Sequence, residues 1–254
     1  MKICVLSSGS KGNVSFLAIN GKYFLLDAGR NYKYIKEKLL TLNFDIKNID
    51  YIVITHNHKD HISALKTLVT KTNATIILSK KIYNEIPEIQ NYSKILICED
   101  EIEIDGIKIK SLYASHDAVD SRNYIFTYNN KSIAYITDTG YVNSKYFKYL
   151  KNLDVYLFES NHDIELLQKG PYPKWLKKRI LSDNGHLSNN LAGFYLAKLI
   201  GCNTKNVILI HLSETNNNEK TALDTVIKAL HEYEINFKNI VCAKQDEVTD
   251  MIEI

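Results

Sequence analysis

Residues 56 to 61 read His-Asn-His-Lys-Asp-His, a dense group of metal-ligating side chains in a chain that holds 8 His in all. In an extended segment, residues two apart project to the same side, so His56 and His58 can grip one cation. Asp60 and His61, where the chain turns into the next helix, face a second position. Imidazole and carboxylate without thiolate suit Zn or Mn, with Fe also accommodated. One loop cannot complete two metal shells, so other strand ends must supply the remaining ligands. His116 follows KSLYAS, Asp138 follows SIAYIT and His211 follows VILI, each at the C-terminal end of an apolar run, where open sheets place chemistry. Asp27, ending KYFLLDA, is better suited to orienting the histidine loop through hydrogen bonds than to binding metal.

The elements that must position these residues are legible as periodicity. KICVLSS, VSFLAI and KYFLLDA read as strands, YKYIKEKLLTL as a helix, and YIVIT as the buried strand that ends at the histidine cluster. ISALKTLVTK predicts a helix, TIILS a strand, and EIEIDGIKIKSL a hairpin turned at Asp105-Gly106. A second half repeats the plan. NYIFTY and SIAYIT are strands, a helix lies near SKYFKYL, VYLFE and VILIHL are strands, and NNLAGFYLAKLI and EKTALDTVIKALHEY are helices. Two halves with strands first and helices after imply two mixed sheets packed face to face, with helices on both outer surfaces. With 3 Pro, 10 Gly and no linker-like stretch, residues 1–254 are expected to form a single domain.

Composition sets outer bounds. With 45% hydrophobic and 24% charged residues, disorder, collagen and coiled coil are excluded as whole-chain readings. No apolar run approaches the ~18 residues that span a bilayer, and the N-terminus offers no signal-peptide core, so no membrane partner and a cytoplasmic location are expected. The four cysteines, at 4, 98, 202 and 242, form no C-x-x-C pair and read as free thiols. A net charge of +3 permits a polyanionic partner without requiring one.

Taken together, the motifs resemble the metallo-β-lactamase superfamily: an Asp ending an early strand (Asp27), H-x-H-x-D-H (His56, His58, Asp60, His61), a downstream His (His116), an Asp (Asp138) and a final His (His211), in the family's order. More narrowly, SSGSKGN, TDTGY, ESNHD, GPYPKWLKKRILSDNGHLSN and HLSETNN resemble the YycJ/WalJ (VicX) subfamily of bacterial metallohydrolases. The resemblance implies an αββα sandwich and two divalent ions per chain. His56, His58 and His116 would hold the first, Asp60, His61 and His211 the second, with Asp138 bridging. It also implies a 5′ to 3′ DNA exonuclease, DNA being favoured over RNA, in which a hydroxide bridging the metals attacks a phosphodiester. Glu159 and His162 in ESNHD and His186 in GHLSN are similar to the extra Glu and His of tRNA-processing relatives. With Asp60 they form the expected catalytic set, His186 acting on the departing oxygen.

Between Asp138 and His211 lie too few residues for an inserted domain of ~100, so the clamp of long-RNA nucleases is not expected. Nucleic acid would then lie on an open face. KGPYPKWLKKRI could supply it through Lys174, Trp175, Lys178 and Arg179, although the same segment fits a helix that turns Trp175 and Leu176 into the core. Ser8 and Asn13 in SSGSKGN are further candidates for substrate contact. Two other readings stand beside the nuclease: a small-molecule hydrolase cleaving a cyclic phosphodiester, lactone or thioester in the same site, and a regulatory or scaffold protein with a vestigial site.

Overall fold

The apolar runs form two seven-stranded sheets in a computed structural model that describes residues 1–254. The first sheet contains β1 (Lys2–Ser7), β2 (Val14–Ile19), β3 (Lys22–Leu26), β4 (Tyr51–Val53), β5 (Thr75–Leu78) and β6 (Ile95–Ile97). The second contains β7 (Glu101–Ile104), β8 (Ile107–Tyr113), β9 (Arg122–Tyr128), β10 (Lys131–Ile136), β11 (Val155–Glu159), β12 (Asn206–Ile210) and β13 (Ile240–Cys242). A last strand, β14 (Ile252–Glu253), returns to the first sheet beside β1. Both sheets follow one plan. β1 to β3 pair antiparallel and β3 to β6 parallel. β7 to β10 pair antiparallel and β10 to β13 parallel.

Strand alternation decides which side chains face which layer. On β1, Ile3 and Val5 join Leu17, Phe24 and Val53 against Ile109, Phe126, Ile133, Leu157 and Ile208 of the other sheet. Cys4 and Leu6 point the other way and pack under the helices of their own sheet. Those helices are α1 (Tyr32–Thr41), α2 (Lys59–Ile62), α3 (Leu65–Lys71) and α4 (Lys80–Asn84). The second sheet carries α5 (Phe147–Leu150), α6 (Ile164–Lys169), α7 (Lys174–Ile180), α8 (Asn189–Leu199) and α9 (Glu219–Glu232). Leu196 and Leu199 of α8 and Val226 and Leu230 of α9 cover its outer face. Asn31, Ser188 and Asn218 cap α1, α8 and α9 by accepting a backbone N–H from the first turn.

Several elements differ from expectation. The helix expected over ISALKTLVTK begins only at Leu65 as α3, with the short α2 before it inside the histidine motif, and SKYFKYL is a 3-10 turn leading into α5. β6, β13 and β14 extend the sheets beyond the expected strands. The Asp105-Gly106 turn is as expected, with φ of 50° and 78°, the left-handed pair that a two-residue hairpin turn requires.

Candidate metal centre

The His-Asn-His-Lys-Asp-His loop leaves β4 at the edge of the cleft between the sheets and is stitched to the chain after β3. Ala28 N–H donates to His61 O at 2.7 Å, and Asn13 N–H to Asp60 O at 2.8 Å. Gly29 makes this approach possible, because a Cβ there would overlap the Asp60 carbonyl. The other sheet contributes His116 just past β8, Asp138 just past β10, Glu159 ending β11 and His211 following β12. Asp27, Asp138 and His211 all have left-handed backbones, with φ of 59°, 46° and 59°. Such a residue breaks the strand sharply and re-aims its own side chain, a mild strain concentrated where the chemistry sits.

The fold gathers potential ligands into four overlapping groups: His56 with His58 and His116, Asp60 with His61 and His211, His56 with His61 and Asp138, and Asp138 with Glu159, His186 and His211. Two donors on one tetrahedral ion with bonds of ~2.1 Å stand ~3.4 Å apart. The observed separations bracket that value: His116 Nε2 to His58 Nδ1 is 3.3 Å, His61 Nε2 to Asp138 Oδ2 2.9 Å, His61 Nε2 to Asp60 Oδ2 3.6 Å and His211 Nε2 to Asp60 Oδ2 3.8 Å. His56 Nε2 and His211 Nε2 are buried without any hydrogen-bond partner. Orphaned imidazole nitrogens aimed at a cluster of carboxylates are what a cation would satisfy, so the donor set fits a divalent-metal site.

Four of the five proposed ligand imidazoles, all but His58, are held by their other nitrogen. His61 Nδ1–H donates to Asp27 Oδ2 at 2.8 Å, His116 Nδ1–H to Gly185 O at 3.1 Å, and His211 Nδ1–H to Glu159 Oε1 at 3.0 Å. The single hydroxyl proton of Thr55 goes to Asp27, so Thr55 Oγ1 accepts from His56 Nδ1 at 3.0 Å. These bonds select the tautomers that leave Nε2 of all four rings for a metal. Fully buried Asp27 also accepts from Thr55 N–H and from the Tyr135 hydroxyl, reached across the sandwich, both near 3 Å. Burial opposes charge on His61, but Asp27, Asp138 and Asp60 outweigh it and hold its pKa well above the usual range. For His211, burial is likewise overcome by Asp138, Asp60 and Glu159, raising it to about 10. Asp138 shows the converse: His211 and His61 override burial and hold it well below the carboxylate range.

His186 stands outside the two histidine triads. Its Nδ1 donates to Glu159 Oε1 at 2.8 Å and lies 3.3 Å from Asp138 Oδ1. Glu159 therefore accepts from His186 and His211 on the same oxygen, while its second oxygen takes the N–H of Thr139 at 2.8 Å. Although burial alone would raise Glu159, His186 and His211 keep its carboxyl below the usual range. These groups open onto a cleft of about 280 Å³ that is also lined by Ser10, Tyr172, Leu176 and Arg179. Arg179 forms a two-pronged ion pair with Asp117, and Asp117 in turn lies 3.4 Å from His116 Nε2, which ties α7 to the metal ligands.

Other expected residues sit elsewhere. Ser8 and Asn13 are buried beneath the ligands instead of facing substrate. Ser8 Oγ accepts the His211 backbone N–H at 2.7 Å, and Asn13 Nδ2 lies 3.1 Å from His61 Nε2. His162 is also buried and does not line the cleft; both its ring nitrogens lack partners, and burial lowers its pKa to about 4. Trp175 is 68% exposed and not in the core, and with Lys174 and Lys178 it lies outside the cleft, on solvent. Sequence reasoning missed Thr55, Tyr135, Asp117 and Asn161, whose Nδ2 donates to His211 O at 2.9 Å. Thr55 could have been suspected from its place beside His56, but nothing local marks Tyr135, whose partner Asp27 is 108 residues away.

Comparison with known proteins gives a consistent result. Residues 22–212 match the family described as the β-lactamase superfamily domain. The chain is 36% identical to an exodeoxyribonuclease YycJ of Bacillus anthracis, covering 90% of this chain and 88% of that one. It is 35% identical to an exodeoxyribonuclease WalJ of Streptococcus pneumoniae, covering 100% and 98%. Among solved structures, the metallo-β-lactamase fold protein YhfI from Bacillus subtilis superposes with a TM-score of 0.73 at 14% identity, over 98% of this chain and 99% of that one.

Proposed function

The chain belongs to the β-lactamase superfamily and, within it, to the group of YycJ and WalJ proteins, and from that premise we propose that it is a 5′ to 3′ exodeoxyribonuclease working with two divalent ions, Zn or Mn. It is a metal-dependent hydrolase with a divalent-metal site. In our reading His56, His58 and His116 would hold one ion and Asp60, His61 and His211 the other, with Asp138 placed to be shared by both. When bound, the metals supply Lewis acidity toward the phosphoryl oxygens and acidify water toward neutral pH.

The rest falls to the chain's own residues. One observation carries the choice of a phosphodiester: His186, beyond the ligand triads, is fixed by Glu159 beside Asp138 and lines the cleft. Phosphodiester cleavage needs a proton for the departing oxygen, and an imidazole whose Nδ1 is tied to a carboxylate has Nε2 left to deliver it. Glu159 fixes that tautomer and stabilises the imidazolium before the proton is given up. Arg179, on the cleft wall, contributes a permanent cation to bind the phosphate, and Trp175 and the lysines of α7 offer contacts on the open face. The chain acts as one domain without an inserted clamp. No helix is long and apolar enough to cross a membrane.

Incubation with Mn²⁺ or Zn²⁺ and end-labelled single- and double-stranded DNA and RNA tests this reading. DNA should shorten from its 5′ end. Turnover of a lactone or thioester with no cleavage of any strand would overturn it.

A further inference from the structure

A second basic and aromatic surface adjoins the cleft, and the metal chemistry makes no use of it. Residues 141–151 read YVNSKYFKYLK, with Lys145, Lys148 and Lys151 interleaved among aromatic rings and no acidic residue. The segment starts three residues after Asp138, so the two Cα atoms are within ~11 Å of each other. Tyr113, three residues before His116, approaches the same place from β8. Gly140 N–H donates to Ser115 O at 2.8 Å, and Tyr113 N–H to the Tyr146 hydroxyl at 3.2 Å, which locks the two segments side by side.

The rings of Tyr113 and Tyr141 stay in solvent, whereas Tyr146 and Phe147 pack on the core. Tyr113 is 54% exposed and Tyr141 38%, and Lys145 and Lys148 are exposed beside them. Beyond Tyr141 a groove of about 510 Å³ runs between Phe147, Phe194 and Tyr195, with Lys198 Nζ 4.7 Å from the Phe194 ring centre. No acidic side chain lines it. Gly140 also packs on the backbone of Ser182 and Asp183, in the loop that joins α7 to His186. The segment and the cleft loop therefore meet at buried Gly140, while the cleft and the groove share no lining residue.

We propose that this surface is a track for single-stranded DNA, holding nucleotides of the substrate strand beyond the scissile phosphate. It rests on the nuclease reading and deepens it. Unpaired bases stack on Tyr141, Phe194 and the face of Tyr113 that Arg122, 3.7 Å from the ring centre, leaves free, and Lys145, Lys148 and Lys198 contact phosphates. Alternating rings and cations suit a strand whose base faces are free, because a duplex hides those faces.

The test is fluorescence anisotropy of the full chain with a fluorescein-labelled phosphorothioate dT20, which resists cleavage, in parallel with cleavage of ordinary 5′-labelled DNA. Tyr141→Ala combined with Phe194→Ala should weaken binding on the order of 10- to 100-fold, while Tyr141→Phe should bind as the parent does. Lys145→Ser with Lys148→Ser should flatten the slope of log Kd against log salt by about 1.4. Thermal melting checks that each variant folds. Unchanged affinity and slope in folded variants overturn the track, even if the parent degrades DNA. If the parent binds dT20 through these residues yet cleaves no strand, the track stands and the nuclease reading falls.

Discussion

Glu159 Oε1 accepts from both His186 and His211, so one carboxylate serves a proposed proton donor and a proposed ligand. The two roles separate on substitution. His186→Ala is expected to retain metal and lose on the order of 10² to 10⁴ in turnover. Glu159→Gln should cost less turnover than that, and it should also weaken metal affinity by ~10- to 100-fold because His211 loses its orienting partner. A metal titration identical to the parent's would confine Glu159 to His186. Asp138→Ala should remove at least one ion and nearly all activity while circular dichroism stays close to the parent's; metal analysis still giving two ions per chain would refute the bridging role. In the metal-free chain, His211 is raised to about 10 by Asp138, Asp60 and Glu159 acting against burial. A raised pKa means that the proton is held at neutral pH and lost only as pH climbs through about 10, so metal must displace it. Calorimetry of metal binding at pH 7 in buffers of different ionisation enthalpy should show proton release, with affinity rising as pH rises. Heats that do not depend on the buffer would contradict this.

At the scale of elements, the centre depends on close backbone contacts that no side chain advertises. Gly29 lies flat against the Asp60 carbonyl, so Gly29→Ala must push the histidine loop away from the chain after β3. That variant should lose about 1–3 kcal/mol of stability. Its metal affinity should fall as well, although no ligand has changed; a melt and a metal titration matching the parent's would disprove the contact's importance. Element by element, legibility followed burial and length. YIVIT and VILI were readable because strands covered on both faces are continuous apolar runs, and their ends delivered His56 and His211. β6, β13 and β14 span only two or three residues each, too short for any period to emerge. Asp27 could be assigned an orienting role from its place at the end of a strand, although its partner His61 lies 34 residues on. Ser8 is less legible: its partner, the His211 backbone, lies 203 residues away, and only the assembled sandwich reveals that its hydroxyl is already engaged.

On the scale of the whole molecule, the chain's last stretch joins the two sheets. From β13 in the second sheet it crosses to β14 in the first, and on the way Lys244 O accepts from Ser8 N–H and Gln245 O from the Ser7 hydroxyl. Thr249 exchanges hydrogen bonds with Val5 through its N–H and its hydroxyl, and Met1 and Ile254 exchange two more. The first and last strands thus brace each other, and β1 leads directly to Ser8, which holds His211 in place. Ending the chain at Glu247 would remove β14 and these four bonds but leave every candidate ligand intact. At ~1 kcal/mol for each bond, plus the lost packing of Val248, Met251 and Ile252, the truncated chain should be ~3–5 kcal/mol less stable in denaturant titrations. Because β1 loosens with the tail, metal should bind more weakly at temperatures where the truncated chain is still folded. If stability falls while metal affinity stays at the parent's value, the tail supports the sheet edge alone and the path through Ser8 to His211 carries no force.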